Sequence, residues 1–232
     1  MLPFLFDPTF IIIIPAIVLV MYAQSNVKSI FNKYSHVYSN LGMTGAELAE
    51  RILRRNGIYD VQVTTSNGYM TDHYDPRHKI VRLSSNIYSG RSITALGVAA
   101  HEVGHAIQHN EGYMPLSLRN SIVPLANIGS QMAFPLLFIG LILGFPSLAQ
   151  IGVIVFMFAV LFQLLTLPVE FNASKRAVAI LTNEGYVTGE EEKGIKKVLN
   201  AAALTYVAAT AMAVLQLIRL LLISGLLGGR RD

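Results

Sequence analysis

The sequence predicts a mainly α membrane protein of α+β type, with about four transmembrane helices and one small water-facing part holding a short β-sheet. Composition is the first reason: of 232 residues 53% are hydrophobic and 14% charged, and the mean hydropathy of +0.49 is too apolar for an ordinary soluble domain. Length is the second, because apolar runs near the ~20 residues a bilayer span requires recur at 8–23, 122–145, 148–167 and 198–227. The third is a polar region, 25–119, in which the hydrophobic period switches between helix and strand.

Composition also excludes several classes. Cysteine is absent, so disulfides and thiolate metal sites are ruled out and any metal must be held by histidine and carboxylate. The net charge of +4 is small, and Lys and Arg flank apolar segments instead of forming one stripe, so no nucleic acid is expected as a partner. The expected partner is the lipid bilayer.

Residues 1–24 are expected to form an N-terminal transmembrane helix. Pro8 to Ala23 is almost unbroken apolar sequence, short for a span unless Leu2 to Phe6 contribute. No basic residue precedes the run, which disfavours a cleaved signal peptide, and Lys28 and Lys33 follow it, which places the next segment in the cytoplasm.

Residues 25–121 form the expected cytoplasmic part. Thr44 to Arg55 reads as an amphipathic helix with Thr44 as N-cap, Glu47 in capping-box position and Gly57 as its stop. Val61 to Thr65 and Lys79 to Ser84 alternate like strands. Between them Asp72-His73-Tyr74-Asp75-Pro76 is dense in turn formers and ionisable groups, and fits a plain turn as well as it fits a binding site.

Residues 122–167 read as a transmembrane hairpin turning at Pro146-Ser147, with Asn127, Ser130, Gln131 and Gln163 expected to hydrogen-bond between helices. Residues 168–197 return to polar sequence around Glu170, Asn172, Ser174, Lys175 and Arg176. Residues 198–232 hold a last alanine-rich helix, transmembrane at least in part; thirty residues of helix span about 45 Å, so its start, including Tyr206, is expected to project from the bilayer and pack beside the site described next. Fifteen of the eighteen Lys and Arg fall in 24–123 and 168–197, which a four-helix topology puts together in the cytoplasm, whereas Arg230 and Arg231 would end outside if the last run spans fully. A re-entrant or surface-lying final helix would remove that conflict, and both arrangements stay open.

The chemistry concentrates in the apolar, small-residue run Ile93 to His109, which carries His101-Glu102-Val-Gly-His105. Residues four apart share one helix face about 6 Å apart along the axis, so His101 and His105 can grip one ion. Glu102 points roughly 100° around the helix from His101, where it can serve as general base to a water instead of as a ligand. Zinc is the natural ion, since it suits imidazole and carboxylate and leaves a position for water. The bland alternative is a helix that merely carries two histidines, but buried His, Glu and His require partners.

A third protein donor is expected. His109 lies eight residues from His101, about 12 Å of rise, and cannot share its ion; it reads as a helix-end or outer residue. A longer zinc signature that adds a third histidine from the same segment would need Gly at 108 and His at 111, where the chain has Gln108 and Glu111. Glu170 is the better candidate, at the cytoplasmic end of a span with Asn172 and Ser174 near enough to orient it. The competing reading is an interfacial glutamate paired with Lys175 or Arg176.

Ala100-His101-Glu102-Val-Gly-His105-Ala-Ile-Gln108-His109, Asp72-His73-Tyr74-Asp75-Pro76 and Val169-Glu170-Phe-Asn172-Ala-Ser174-Lys-Arg176-Ala resemble the signatures of the YugP-type neutral zinc metallopeptidases, membrane proteins of bacteria. More distantly, the order of motif, hairpin and glutamate is similar to the HtpX and CAAX-type membrane gluzincins. The resemblance implies Glu170 as third ligand, a zincin-like cytoplasmic domain and a metallopeptidase of the bacterial inner membrane. Where those relatives carry an aspartate four residues after the ligand, this chain has Ser174.

Together these readings predict an integral-membrane zinc endopeptidase opening on the cytoplasmic face and acting on membrane-associated or cytoplasmic polypeptides. Zinc would be held by His101, His105 and Glu170, with Glu102 as base and His73, Tyr74 or Tyr206 as candidate oxyanion donors. The rival class is a non-catalytic membrane scaffold or peptide-binding adaptor with the same site. The substrate, a homo-oligomer and any membrane partner are not written in the sequence.

Overall fold

A computed structural model describes residues 8–226, and Leu2 to Phe6, Arg230 and Arg231 lie outside them. A short 3-10 segment, Pro8–Ile13, leads into α1, Ile14–Ser35. There follow α2 (Gly45–Arg55), β1 (Gln62–Ser66), β2 (His73–Asp75), β3 (Ile80–Ser84), α3 (Ser85–Tyr88), α4 (Ile93–Asn110), α5 (Met114–Ile142), α6 (Pro146–Asn183) and α7 (Glu190–Ile223). Among the described residues, four stretches are long and apolar enough to cross a membrane: Pro8–Ser35, α5, α6 and α7.

The chain divides into two compact units, one of Gln24–Ser117 with Pro168–Leu204, the other of the described residues through Ala23, Leu118–Leu167 and the described residues from Thr205. In the first, α2 forms as its local signals require. Thr44 Oγ1 accepts from the Glu47 amide at 3.2 Å, and the Glu47 carboxylate accepts from the Thr44 amide at 2.8 Å. Leu48, Ile52 and Leu53 of α2 share one buried core with Val81 and Leu83 of β3, Leu96 and Val103 of α4, Ala177 and Leu181 of α6, and Ile195 and Val198 of α7.

The sheet has strand order β1-β3-β2, with β1 parallel and β2 antiparallel to β3. The strand β2 is not foreseen by the sequence pattern, being three residues inside a run of turn formers. Its side-chain anchors explain it: Asp72 accepts from the Ser84 amide at 2.7 Å and its hydroxyl at 2.9 Å, while Asp75 accepts from the Arg77 amide at 3.0 Å. These aspartates hold the ends of β2 through turn chemistry.

The second unit packs Ala133 and Leu137 of α5 against Ala149, Val153 and Val160 of α6 and Leu220 of α7. Small residues let the backbones approach, since a Cβ on Gly152 would stand 2.7 Å from the Ala133 carbonyl oxygen. Ser130 hydrogen-bonds the Asn127 carbonyl of its own helix instead of a neighbour. Arg219, 4% exposed, donates to the Thr9 hydroxyl and lies 5.3 Å over the Phe10 ring.

One departure bears on the site. Pro168 does not end the hairpin's second arm: α6 runs unbroken for 38 residues and carries Glu170 itself. A proline removes one backbone donor and disturbs the turn before it, which neighbouring helices can tolerate.

Candidate metal centre

Helix α4 starts at Ser92, whose hydroxyl accepts from the Ala95 amide at 3.2 Å, and is buried along nearly its whole length. Its alanines and glycines let neighbours come close. At Gly104 a Cβ would stand 2.9 Å from the carbonyl oxygen of Ala173, so α6 crosses α4 almost backbone to backbone. Glu170, one turn before Ala173, is thereby brought to the face that carries His101 and His105.

Its Oε2 lies 3.3 Å from His101 Nε2 and 3.6 Å from His105 Nε2. All three donor atoms fall within 4.8 Å of one another, and the two imidazole rings meet nearly at right angles. Charge-assisted hydrogen bonds would be shorter, about 2.7–2.9 Å. Ligands on a tetrahedral zinc, with bonds of about 2.0–2.1 Å, stand roughly 3.3–3.4 Å apart. The two Glu170–histidine distances are therefore near the spacing of donors around an ion, while the limit of 4.8 Å on the whole cluster is wider than that spacing.

The far sides of both rings are held. Ser174 Oγ lies 3.1 Å from His101 Nδ1, and Gln108 Oε1 lies 3.0 Å from His105 Nδ1. The Gln108 amide nitrogen donates to the Val169 carbonyl and to Asn172 Oδ1, each at 2.9 Å. Asn172 Oδ1 also accepts from Arg176 Nε at 2.8 Å, and Arg176 pairs with Glu111 at 2.7 Å. Ser174 thus meets His101 and Asn172 meets Gln108 and Arg176, where the spacing suggested that both orient Glu170, and Arg176 pairs with Glu111. Gln108 is a site residue that the sequence pattern did not single out, although its place three residues after His105 in an apolar helix was the available signal.

Glu102 is 8% exposed. Burial pushes its carboxyl above the ordinary glutamate range, while the adjacent imidazoles of His101 and His105 pull it back. Such a group takes up a proton more readily than a surface carboxylate.

Two of the candidate oxyanion donors lie on β2. His73 opens β2, exposed, with Nδ1 2.8 Å from the Thr71 carbonyl. The Tyr74 hydroxyl lies 2.8 Å from His109 Nδ1, one turn beyond His105, and burial with Asp60 and Asp75 nearby pushes its pKa up to about 12. Tyr206 is on α7, among the residues of the second unit. Among the described residues, the donor cluster is His101, His105 and Glu170.

Four membrane-capable helices and a buried convergence of two imidazoles and a carboxylate define a membrane protein with a candidate His-His-Glu metal site. The chain belongs to the family described as "Putative neutral zinc metallopeptidase", which matches residues 9–225. It is 53% identical over 220 residues, 94% of this chain and 96% of the other, to the "Putative membrane protease YugP" of Bacillus subtilis (strain 168). No solved structure matches the chain.

Proposed function

We propose that this protein is an integral-membrane zinc endopeptidase that hydrolyses peptide bonds of membrane-associated or cytoplasmic polypeptides. The observation that carries the reading is the convergence of His101 Nε2, His105 Nε2 and Glu170 Oε2 beside the buried Glu102. His101, His105 and Glu170 would hold the ion. Zinc bound there supplies a Lewis acid for the scissile carbonyl and makes water a nucleophile near neutral pH. Glu102 accepts the proton from the attacking water and returns it to the departing amine. Ser174 and Gln108 hold the rings from behind while this happens.

Substrate placement follows from the sheet. β2 is an edge strand and packs beside α4, so an extended peptide can add to its outer edge through backbone hydrogen bonds. The site is assigned to the cytoplasmic face because fifteen of the eighteen Lys and Arg lie in the two segments that a four-helix topology puts on one side. The water-facing, zincin-like part is residues 25–121 together with the third-ligand segment 168–197.

The test is elemental analysis of detergent-purified protein beside His101→Ala and Glu170→Ala. Near one zinc per chain, lost in both variants, supports the site. Zinc retained after Glu170→Ala moves the third ligand elsewhere, and no zinc in the parent under non-chelating conditions favours a scaffold without turnover.

A further inference from the structure

We infer that Gln108 is a positioning residue that fixes the tautomer of His105, holding the proton on Nδ1 so that the Nε2 lone pair faces Glu170. The inference rests on the metal-site reading above and deepens it.

The assignment follows from groups that can act in only one way. Arg176 has donors and no acceptor, so the Asn172 atom 2.8 Å from its Nε must be the carbonyl oxygen. That oxygen and the Val169 backbone carbonyl are both acceptors, and both stand 2.9 Å from one end of the Gln108 side chain. That end must therefore be the amide NH2, which leaves Oε1 as the end facing His105 Nδ1 at 3.0 Å. An amide oxygen only accepts. His105 must then donate from Nδ1, and in the neutral ring Nε2 carries the lone pair, 3.6 Å from Glu170 Oε2.

His101 has no such constraint, because the Ser174 hydroxyl 3.1 Å from its Nδ1 can either donate or accept. Gln108 is fully buried, so water cannot replace it. Its two α6 partners, Val169 and Asn172, flank Glu170 in sequence, so the amide that orients one histidine is anchored to the turn that supplies the carboxylate. A carboxylate is the more familiar partner behind a metal-ligating histidine. Here it would face two acceptors, which an amide satisfies.

The experiment compares zinc affinity by chelator competition, and the visible absorption of the Co²⁺-substituted protein, in the parent, Gln108→Leu, Gln108→Glu and Asn172→Ala. Gln108→Leu removes the His105 acceptor and both donors to α6; Gln108→Glu keeps the acceptor and loses the donors; Asn172→Ala removes one α6 acceptor of Gln108 and the Arg176 Nε partner. We expect Gln108→Leu to bind zinc about 10–100-fold more weakly with an altered Co²⁺ spectrum, Gln108→Glu, which keeps the acceptor but faces two acceptors on α6, to lose less than Gln108→Leu, and Asn172→Ala to lose least. Parent-like affinity and spectrum in Gln108→Leu overturn the inference, as does an equal loss in all three, which marks a purely structural link between helices. If Gln108→Leu is not recovered folded, Gln108→Met, of similar length and without the amide oxygen, takes its place: weakened zinc with an altered Co²⁺ spectrum supports the acceptor role and parent-like zinc overturns it. A parent that binds no zinc overturns the metal-site reading as well, and so is distinguishable from failure of this inference alone.

Discussion

Gly104 and Ala173 meet backbone to backbone, with room for no Cβ between them: one built on Gly104 would stand 2.9 Å from the Ala173 carbonyl oxygen. That contact sets how near α6 comes to α4, and through it where Glu170 stands over His101 and His105. Gly104→Ala should push the helices apart at a cost of about 1–3 kcal/mol, the usual range for overpacking. Thermal unfolding with and without zinc checks it: the variant should be less stable in both, with a smaller zinc-dependent gain.

Glu102→Gln should keep zinc at the parent level and lower peptide hydrolysis by about 10²–10⁴-fold, the typical contribution of a general base. Metal content and a peptidase assay on one preparation separate the two effects. Cleavage retained in this variant would sink the proposed mechanism.

Removing the metal should destabilise the unit that holds α2, the sheet and α4. Three donors from α4 and α6 come together only in the folded chain, so zinc at about 100 times its Kd stabilises by about 2.7 kcal/mol, and chelation removes that amount. The chelator-dependent drop in Tm should vanish in His101→Ala and Glu170→Ala.

Tyr74→Phe should leave zinc affinity unchanged, because the Tyr74 hydroxyl is bonded to His109 and not to the donor cluster. A kcat loss beyond about 10²-fold in this variant would support Tyr74 as an oxyanion donor.

Asp75 provides a pH test remote from the metal. The His78 imidazole bonded to it, helped by the His78 and Arg77 amides, holds its pKa at about 2 against an ordinary 3.8. A carboxyl with a depressed folded pKa contributes stability above its unfolded pKa and loses it as pH falls through the folded one. In chelated protein, the parent's stability advantage over Asp75→Asn should hold above about pH 5 and shrink between about pH 4 and pH 2.

The elements legible in the amino-acid sequence are those written in short-range physics. Thr44 and Glu47 are three residues apart and close their capping box within one helical turn. The apolar runs declare the four membrane-capable helices by length alone. His101 and His105 share a face because four residues are about one turn. The strand β2 is not legible because three residues among turn formers carry no period. The continuation of α6 through Pro168 is not legible either, because a proline interrupts a helix locally without always ending it.

The sequence by itself determined the membrane-capable helices, the helix that bears the two histidines, and a shortlist in which Glu170 stood out. Only the tertiary structure decided which groups meet. His101 and Glu170 are 69 residues apart in the chain, and Gln108 and Asn172 are 64 apart. No local periodicity encodes such pairs. They form because α4 and α6 are small enough at Gly104 and Ala173 to pack backbone to backbone, and that closeness places a carboxylate before the rings and an amide behind one of them.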